Sequence, residues 1–336
     1  MNGAAPHFGA EAIRAVVGFE DLIEPVSAAF ADFSRGLGDS PVSVFAPAGA
    51  DGDVHVKSAW LPGYPIFTVK VATWFAERAR RGGSAGAGMV AVFDAETGDL
   101  RALLHDDHHL SDVRTAAAGA LATRILARPD AATLGVLGTG VQAYLQVLAA
   151  AAERPIRTVR VWGRSHAAVE RLTAALRARR PDLRVDPVGT VRTACAGADV
   201  LITATASREP LVEAAWLNSG THVTAVGADD PGKAELSPAC LLRADRIVVD
   251  SRALSAVHGD LALARAERVE LDPVPTELGE LLAGSAPART RPEEITICKL
   301  IGLGVQDLAA AAVTLERLTS GRIPAHRPAS VEDLRR

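Results

Sequence analysis

Between Thr133 and Ala143 the chain reads T-L-G-V-L-G-T-G-V-Q-A: a short apolar run, a Gly-Thr-Gly turn, and the start of an alanine-rich stretch reaching Ala152. A strand that passes through two glycines straight into a helix belongs to a parallel sheet with crossover helices. Each position has a separable duty. Gly138 admits the tight turn, Gly140 lets the backbone approach a pyrophosphate, and Ala143 lets helix and strand pack closely. The helix start, with Val141 and Gln142 following Thr139 and Gly140, offers unpaired N–H groups to phosphate. Gly-x-Gly-x-x-Ala alone is common in ordinary turns; the strand before it and the helix after it make this a dinucleotide site.

The same alternation of apolar runs and amphipathic stretches continues to about Ile297. Strands are expected at Thr133–Leu137, Thr158–Trp162, Val200–Thr203, Thr221–Val226, Arg246–Val249 and Glu294–Ile297, with helical patterns such as His166–Arg180 between most of them. The first 110 residues differ. A helix near Asp21–Gly36 precedes alternating segments at Val42–Phe45, Val54–Trp60, Phe67–Trp74, Met89–Asp94 and Leu100–Leu104. Those read as a mostly antiparallel sheet. The expected fold class is therefore α/β: a Rossmann-type parallel-sheet domain at 129–304 plus an α+β substrate and dimerisation domain at 1–128, completed by 305–336. Asp112–Arg128 is expected to be a helix bridging the two, and Val305–Leu318 a final helix returning to the first.

With 336 residues, 48% hydrophobic and 23% charged, the chain suits two soluble domains. A formal net charge of −4, with no basic stretch interleaved with aromatics, argues against nucleic acid; Arg177–Arg184 reads as a solvated helix end. Met1–Val17 lacks the pattern of a signal peptide, and there is no run of about 18 apolar residues to span a membrane. Cys195, Cys240 and Cys298 are isolated and odd in number, which fits reduced thiols in the cytoplasm and gives no cysteine-built metal motif.

The second strand of the nucleotide domain ends in Gly163-Arg164-Ser165, where an acidic residue would hold an adenine ribose 2′-hydroxyl. A guanidinium and a hydroxyl suit a 2′-phosphate instead, so NADP(H) is favoured over NAD(H); the alternative is that Arg164 stacks on the adenine or is solvated. Leu110-Ser111-Asp112-Val113-Arg114 opens a helix with Ser111 as its expected N-cap. That puts Arg114 in the first turn, where the dipole disfavours a cation and an Arg suggests a carboxylate ligand. A salt bridge to Asp112 or to another domain is the competing explanation. Thr221–Val226 ends in Gly227-Ala228-Asp229-Asp230-Pro231, beyond the carboxyl end of a strand, where Asp229 could move a proton; it could equally be a turn residue, the role given to Asp230. Alternation places Phe67, Val69 and Val71 on one strand face and leaves Lys70 with Thr68 and Ala72 on the other, solvated or facing a cleft; Lys57 is equally ambiguous. His105, His108 and His109 with Asp106 and Asp107 have helical ligand spacing but fall before the helix start, so they read as a polar loop and no metal is expected.

In this order and spacing, Phe67-Thr68-Val69-Lys70-Val71, Leu110–Ala118, Gly138–Gln142, Ala225–Lys233 and Gly302–Asp307 (G-L-G-V-Q-D) resemble the ornithine cyclodeaminase and mu-crystallin family over about residues 50 to 310. The resemblance implies a homodimer joined through the antiparallel domains and a site for a small α-amino or α-imino acid. It implies that Lys70 and Arg114 hold the substrate carboxylate, that Thr115, Val141, Gln142, Thr205 and Val226 contact the cofactor, and that Asp229 is the acid/base beside a hydride transfer at Cα. The chain departs from the cyclodeaminase pattern in three places. No Arg lies near Val42–Phe45, Lys57 falls where a Glu would meet a side-chain amine, and Cys298 and Leu300 replace an aromatic and a Ser. Lys57 is thus a candidate substitute for the missing Arg. Three functions follow as expectations: an NAD(P)-dependent imine reductase or amino-acid dehydrogenase, a cyclodeaminase-type ammonia-lyase with no net redox change, or a non-catalytic dinucleotide- or small-ligand-binding protein.

Overall fold

Alternation along the strands and helical periodicity between them produce two compact units in a computed structural model that describes residues 5–334 apart from 273, 323, 325–327 and 330. The division falls at Ala117–Ala118, inside a helix. One unit comprises residues 1–117 and 303–330, the other residues 118–302 and 331–336.

The first unit contains β1 (His7–Gly9), α1 (Ala10–Val16), α2 (Ile23–Ser34), β2 (Val42–Phe45), β3 (Gly52–Ala59), β4 (Ile66–Phe75), α3 (Ala76–Arg80), β5 (Gly86–Asp94), β6 (Leu100–His105) and the first half of α4 (His109–Leu126). The second unit adds β7 (Thr133–Leu137), α5 (Val141–Glu153), β8 (Thr158–Trp162), α6 (His166–Arg179), β9 (Arg184–Pro187), α7 (Val191–Cys195), β10 (Val200–Thr203), β11 (His222–Ala225), α8 (Pro238–Arg243), β12 (Arg246–Val249), α9 (Arg252–Ser255), α10 (Gly259–Ala266), β13 (Thr276–Glu277), α11 (Leu278–Leu282) and β14 (Thr296–Lys299). The chain then supplies α12 (Gly304–Ser320) to the first unit.

In the first unit six strands run β1-β6-β5-β4-β3-β2, antiparallel except for the short β1–β6 pair that the sequence did not reveal. Helix α12 packs on β3, β4 and α2. Residues 66, 68, 70 and 72 of β4 are the buried set and 67, 69, 71 and 73 the half-exposed set. The face that carries Lys70 is thus the covered one, so Lys70 is not the solvated lysine that was one of the two expectations; α12 lies against this strand. Register joins Phe45 to Val54, Val56 to Val71, Val71 to Met89 and Phe67 to Phe93 across the opposite face. That face is apolar and only partly covered, and its Phe67 and Phe93 rings stack at 4.9 Å.

The second unit holds eight strands, all parallel, in the order β13-β12-β14-β11-β10-β7-β8-β9. Its core gathers Leu137, Leu201, Val223, Ala225, Val249 and Ile297, all essentially inaccessible. The order reverses beside β7, so β7 and β10 bound the crevice where ligands of such sheets bind. Two edge strands, β9 and β13, were illegible as apolar runs; β13 has only two residues. Among the described residues no helix is long and apolar enough to cross a membrane, and the three cysteines are free and buried.

Candidate active site

At the carboxyl edge of the second unit's sheet, β7 passes through Gly138 at φ +119° into the N-terminus of α5. A Cβ on Gly138 would stand 2.3 Å from the Ala204 carbonyl oxygen, so the turn requires glycine. A Cβ on Gly140 would meet nothing within 4 Å: open space lies against that backbone, where a pyrophosphate would approach. Gly163 is needed differently, because a Cβ there would come within 2.5 Å of the Thr139 methyl. These glycines open onto a cavity of about 560 Å³ walled by Gly138, Thr139 and Gly140, by Trp162 to Ser165, and by Ala204 to Ser207 with Leu211. An open cradle at a helix N-terminus, on a 13-residue helix, fits a dinucleotide. Val141 and Gln142 open α5 next to this wall; Val226 is buried at the end of β11, with its N–H bonded to Thr203 O at 2.9 Å. Arg164 is exposed in the wall, and Ser165 caps α6 by accepting from Ala168 N at 3.4 Å.

Beyond β11, Asp229 has a side chain 39% exposed and accepts from Lys233 Nζ at 2.9 Å; Asp230 accepts from the same nitrogen at 2.6 Å. Burial works against the charge on Lys233, yet the two aspartates outweigh it and hold its pKa above the usual lysine value. Asp230 is buried and is the inner of the pair, more than the plain turn residue expected.

The first unit, by itself, holds a cluster of basic side chains. Lys70 and Arg114 are 2% and 6% exposed. Lys70 Nζ lies 2.8 Å from Asp307 Oδ2 and donates to Ser111 Oγ at 3.0 Å. Arg114 donates through Nε to Asp307 Oδ1 at 3.0 Å and through Nη1 to Gln306 Oε1 at 3.2 Å. Lys57, buried, sits opposite Lys70 in the β3–β4 register. Three basic side chains surround one carboxylate. Burial is the largest influence on Lys70 and brings its pKa down to about 7; Asp307 opposes that shift, while Arg114 and Lys57 add to it. Burial raises Asp307, but the surrounding cations prevail and hold it below the usual carboxylate range. The excess of positive charge suits a carboxylate ligand, for which an Arg beside a Lys is a strong grip.

Two expectations about α4 need correction. The helix begins at His109, so Ser111 lies inside it and Arg114 stands in the second turn rather than the first. Capping falls to Asp106, whose Oδ2 accepts from Leu110 N at 2.8 Å. The partner of Arg114 is Asp307 from α12, not Asp112, which instead meets His108 Nδ1 at 3.1 Å. Thr115 belongs to the first unit, and its hydroxyl donates to Ser111 O at 2.8 Å. Asp307 and Gln306 were visible only as part of a motif. Nothing local marks an Asp in an alanine-rich helix as the counter-ion of a lysine more than 200 residues away.

The sequence profile of the ornithine cyclodeaminase/mu-crystallin family matches residues 9–322. The chain belongs to this family. It is 39% identical over 267 residues to an uncharacterised cyclodeaminase of Sinorhizobium fredii, covering 79% of this chain and 80% of that one. It is 33% identical over 306 residues to the ketimine reductase mu-crystallin of Mus musculus, with 90% and 93% covered. Among solved structures it resembles the Δ1-pyrroline-2-carboxylate reductase of Thermococcus litoralis in complex with NADH and L-proline, at 26% identity and a TM-score of 0.89, covering 96% of this chain and all of that one. Like its family, it is an NAD(P)-dependent enzyme of the reductase or cyclodeaminase kind.

Proposed function

We propose that this family member reduces the C=N bond of a small α-imino acid to the corresponding α-amino acid, and runs the reverse oxidation. The observation that carries this reading is the buried set of Lys57, Lys70 and Arg114 around the single carboxylate of Asp307, which leaves positive charge for the carboxylate of a zwitterion. Lys70 and Arg114 hold that carboxylate and Lys57 replaces a missing arginine. The cavity at Gly138–Gly140 would hold the nicotinamide cofactor, whose chemistry would be hydride exchange with the substrate Cα. Asp229, beyond the carboxyl end of β11, exchanges the proton at the substrate nitrogen. Thr115, Thr205, Val226, Val141 and Gln142 complete the cofactor contacts. The cyclodeaminase alternative asks the site to receive a side-chain ammonium, and a lysine at position 57 opposes that.

The test is an assay of α-keto acids with amines, cyclic imines, alanine, ornithine and lysine, using both nicotinamides. Consumption of reduced nicotinamide one-for-one with substrate is the expected result. Ammonia release with an unchanged nicotinamide spectrum at turnover would establish the lyase instead, and no turnover across the panel a binding protein.

NADP(H) is the favoured cofactor, because β8 ends in Gly163-Arg164-Ser165 with no carboxylate and Arg164 lines the cavity. Arg164→Ala is expected to weaken NADPH binding by about 1.5–3 kcal/mol, the worth of a charge-assisted bond, and NADH binding far less. Equal losses by calorimetry would remove the 2′-phosphate assignment. The half-exposed apolar sheet face of Val54, Val56, Val69, Val71 and Met89 suits a second copy of the chain, so a homodimer is proposed, to be weighed by light scattering against 35.0 kDa for the monomer. Buried reduced thiols fit the cytoplasm.

A further inference from the structure

Beneath the two loops that leave β10 and β11 lies a buried charge cluster that the reaction described above does not use. Glu235 is wholly inaccessible, yet five donors converge on its carboxylate. Oε1 accepts from Thr205 N at 2.6 Å and Thr205 Oγ1 at 2.8 Å. Oε2 accepts from Thr203 Oγ1 at 2.8 Å, Gly227 N at 2.9 Å and Ala228 N at 3.2 Å. One loop includes Thr205 of the cofactor cavity; the other leads directly into Asp229. The loops also touch. A Cβ on Gly227 would lie 2.4 Å from Thr205 N and 2.2 Å from its carbonyl oxygen, and a Cβ on Gly259 would lie 2.1 Å from Ala228 O.

Glu235 is itself anchored. Asp260 Oδ1 accepts from Glu235 N at 2.7 Å and from Leu236 N at 2.9 Å, while the buried Lys299 Nζ stands 3.6 Å from Asp260 Oδ2 and donates to Ala225 O at 3.3 Å. Ala225 ends β11, so the cluster holds both the strand and the loop it feeds.

We propose that Glu235 is a positioning residue, whose carboxylate fixes the cofactor-side loop after β10 and the Asp229 loop after β11 in one register. This rests on the reading that Asp229 is the acid/base. Only an acceptor-only group fits there. An amide in place of either oxygen would set an NH₂ against N–H donors that cannot turn away: Thr205 N on one side, Gly227 N and Ala228 N on the other. A single-methylene-shorter aspartate keeps the charge but cannot span both loops.

The experiment compares Glu235→Gln, Glu235→Asp and Thr203→Val with the wild-type chain. It measures thermal melting, dinucleotide affinity through tryptophan fluorescence (Trp162 lines the cavity), KM for the imino acid, and kcat. Folded Glu235→Gln and Glu235→Asp are expected to lose about 100-fold in kcat, the scale of a misplacement near 1 Å, with weakened dinucleotide affinity and KM for the imino acid nearly unchanged. Thr203→Val, which removes one donor, should lose several-fold in kcat. Lowered melting with wild-type kcat and dinucleotide affinity would overturn the proposal and leave the cluster a structural knot. Should Glu235→Gln and Glu235→Asp not fold, wild-type kcat and affinity in Thr203→Val overturn it equally. A wild-type chain that binds dinucleotide but turns over no substrate counts against the functional reading alone; dinucleotide affinity in Glu235→Gln then decides the positioning role, an undiminished value overturning it.

Discussion

Asp307→Asn is expected to destabilise the first unit by about 3–5 kcal/mol, the cost of removing one partner from a buried ion pair and leaving the other uncompensated. Asp307 is 1% exposed and is contacted by Lys70 and Arg114 at 2.8 and 3.0 Å, so its loss leaves buried cations facing an amide. The pH dependence of that loss has a definite sign. In the wild-type chain Lys70 titrates near pH 7 when folded, against an ordinary lysine value of 10.5. Between those values the unfolded chain binds the extra proton, so the contribution of Lys70 to stability is fully present above about pH 10.5 and is lost as pH falls through about 7. Without Asp307 the influence that opposes burial is gone, and the folded lysine gives up its proton at lower pH still. The variant's deficit should therefore be larger at pH 6 than at pH 9 in denaturant titrations. Equal deficits at both would mean that Lys70 and Asp307 are not the ionised pair their geometry describes.

That pair is only half visible in the sequence. Lys70 itself was legible, because a lysine in Phe67-Thr68-Val69-Lys70-Val71 interrupts an apolar strand. Its burial was not, because the covering element is α12, whose position depends on the chain returning after the whole second unit. The nucleotide cavity was more readable, since strand, turn and helix are contiguous in sequence and the demand for glycine at Gly138 is local. β7, β8, β10 and β12 appear where their apolar runs stand, because buried parallel strands need no partner to be recognised. Short edge strands such as β13 carry too few residues to register as a pattern. The start of α4 at His109 lies three residues before the expected Asp112, for a related reason. Ser111 looks like a cap, but Asp106 reaches the Leu110 N–H first, through a turn in which Asp107 and His108 both take positive φ. Glu235 left no trace at all: a lone acid in Lys233-Ala234-Glu235-Leu236 reads as surface until the loops that close over it are known.

Asp229→Asn is expected to lower kcat by about 10²–10⁴-fold, the usual contribution of a positioned general acid or base. Asparagine keeps the shape of the side chain and an oxygen for Lys233 Nζ, which now lies 2.9 Å from Asp229 Oδ1. It removes the capacity to exchange a proton while leaving Lys70, Arg114 and the turn at Gly138–Gly140 untouched. KM for the imino acid and dinucleotide affinity should therefore stay within a few-fold of wild type. Intact dinucleotide affinity separates Asp229 from Glu235, whose variants loosen the cofactor-side loop at Thr205 as well. A kcat within about 3-fold of wild type would transfer the proton to another group, since a loss below 1 kcal/mol is too small for an essential proton carrier. Lys233, charged and bound to both Asp229 and Asp230, would then be the first residue in the loop to replace.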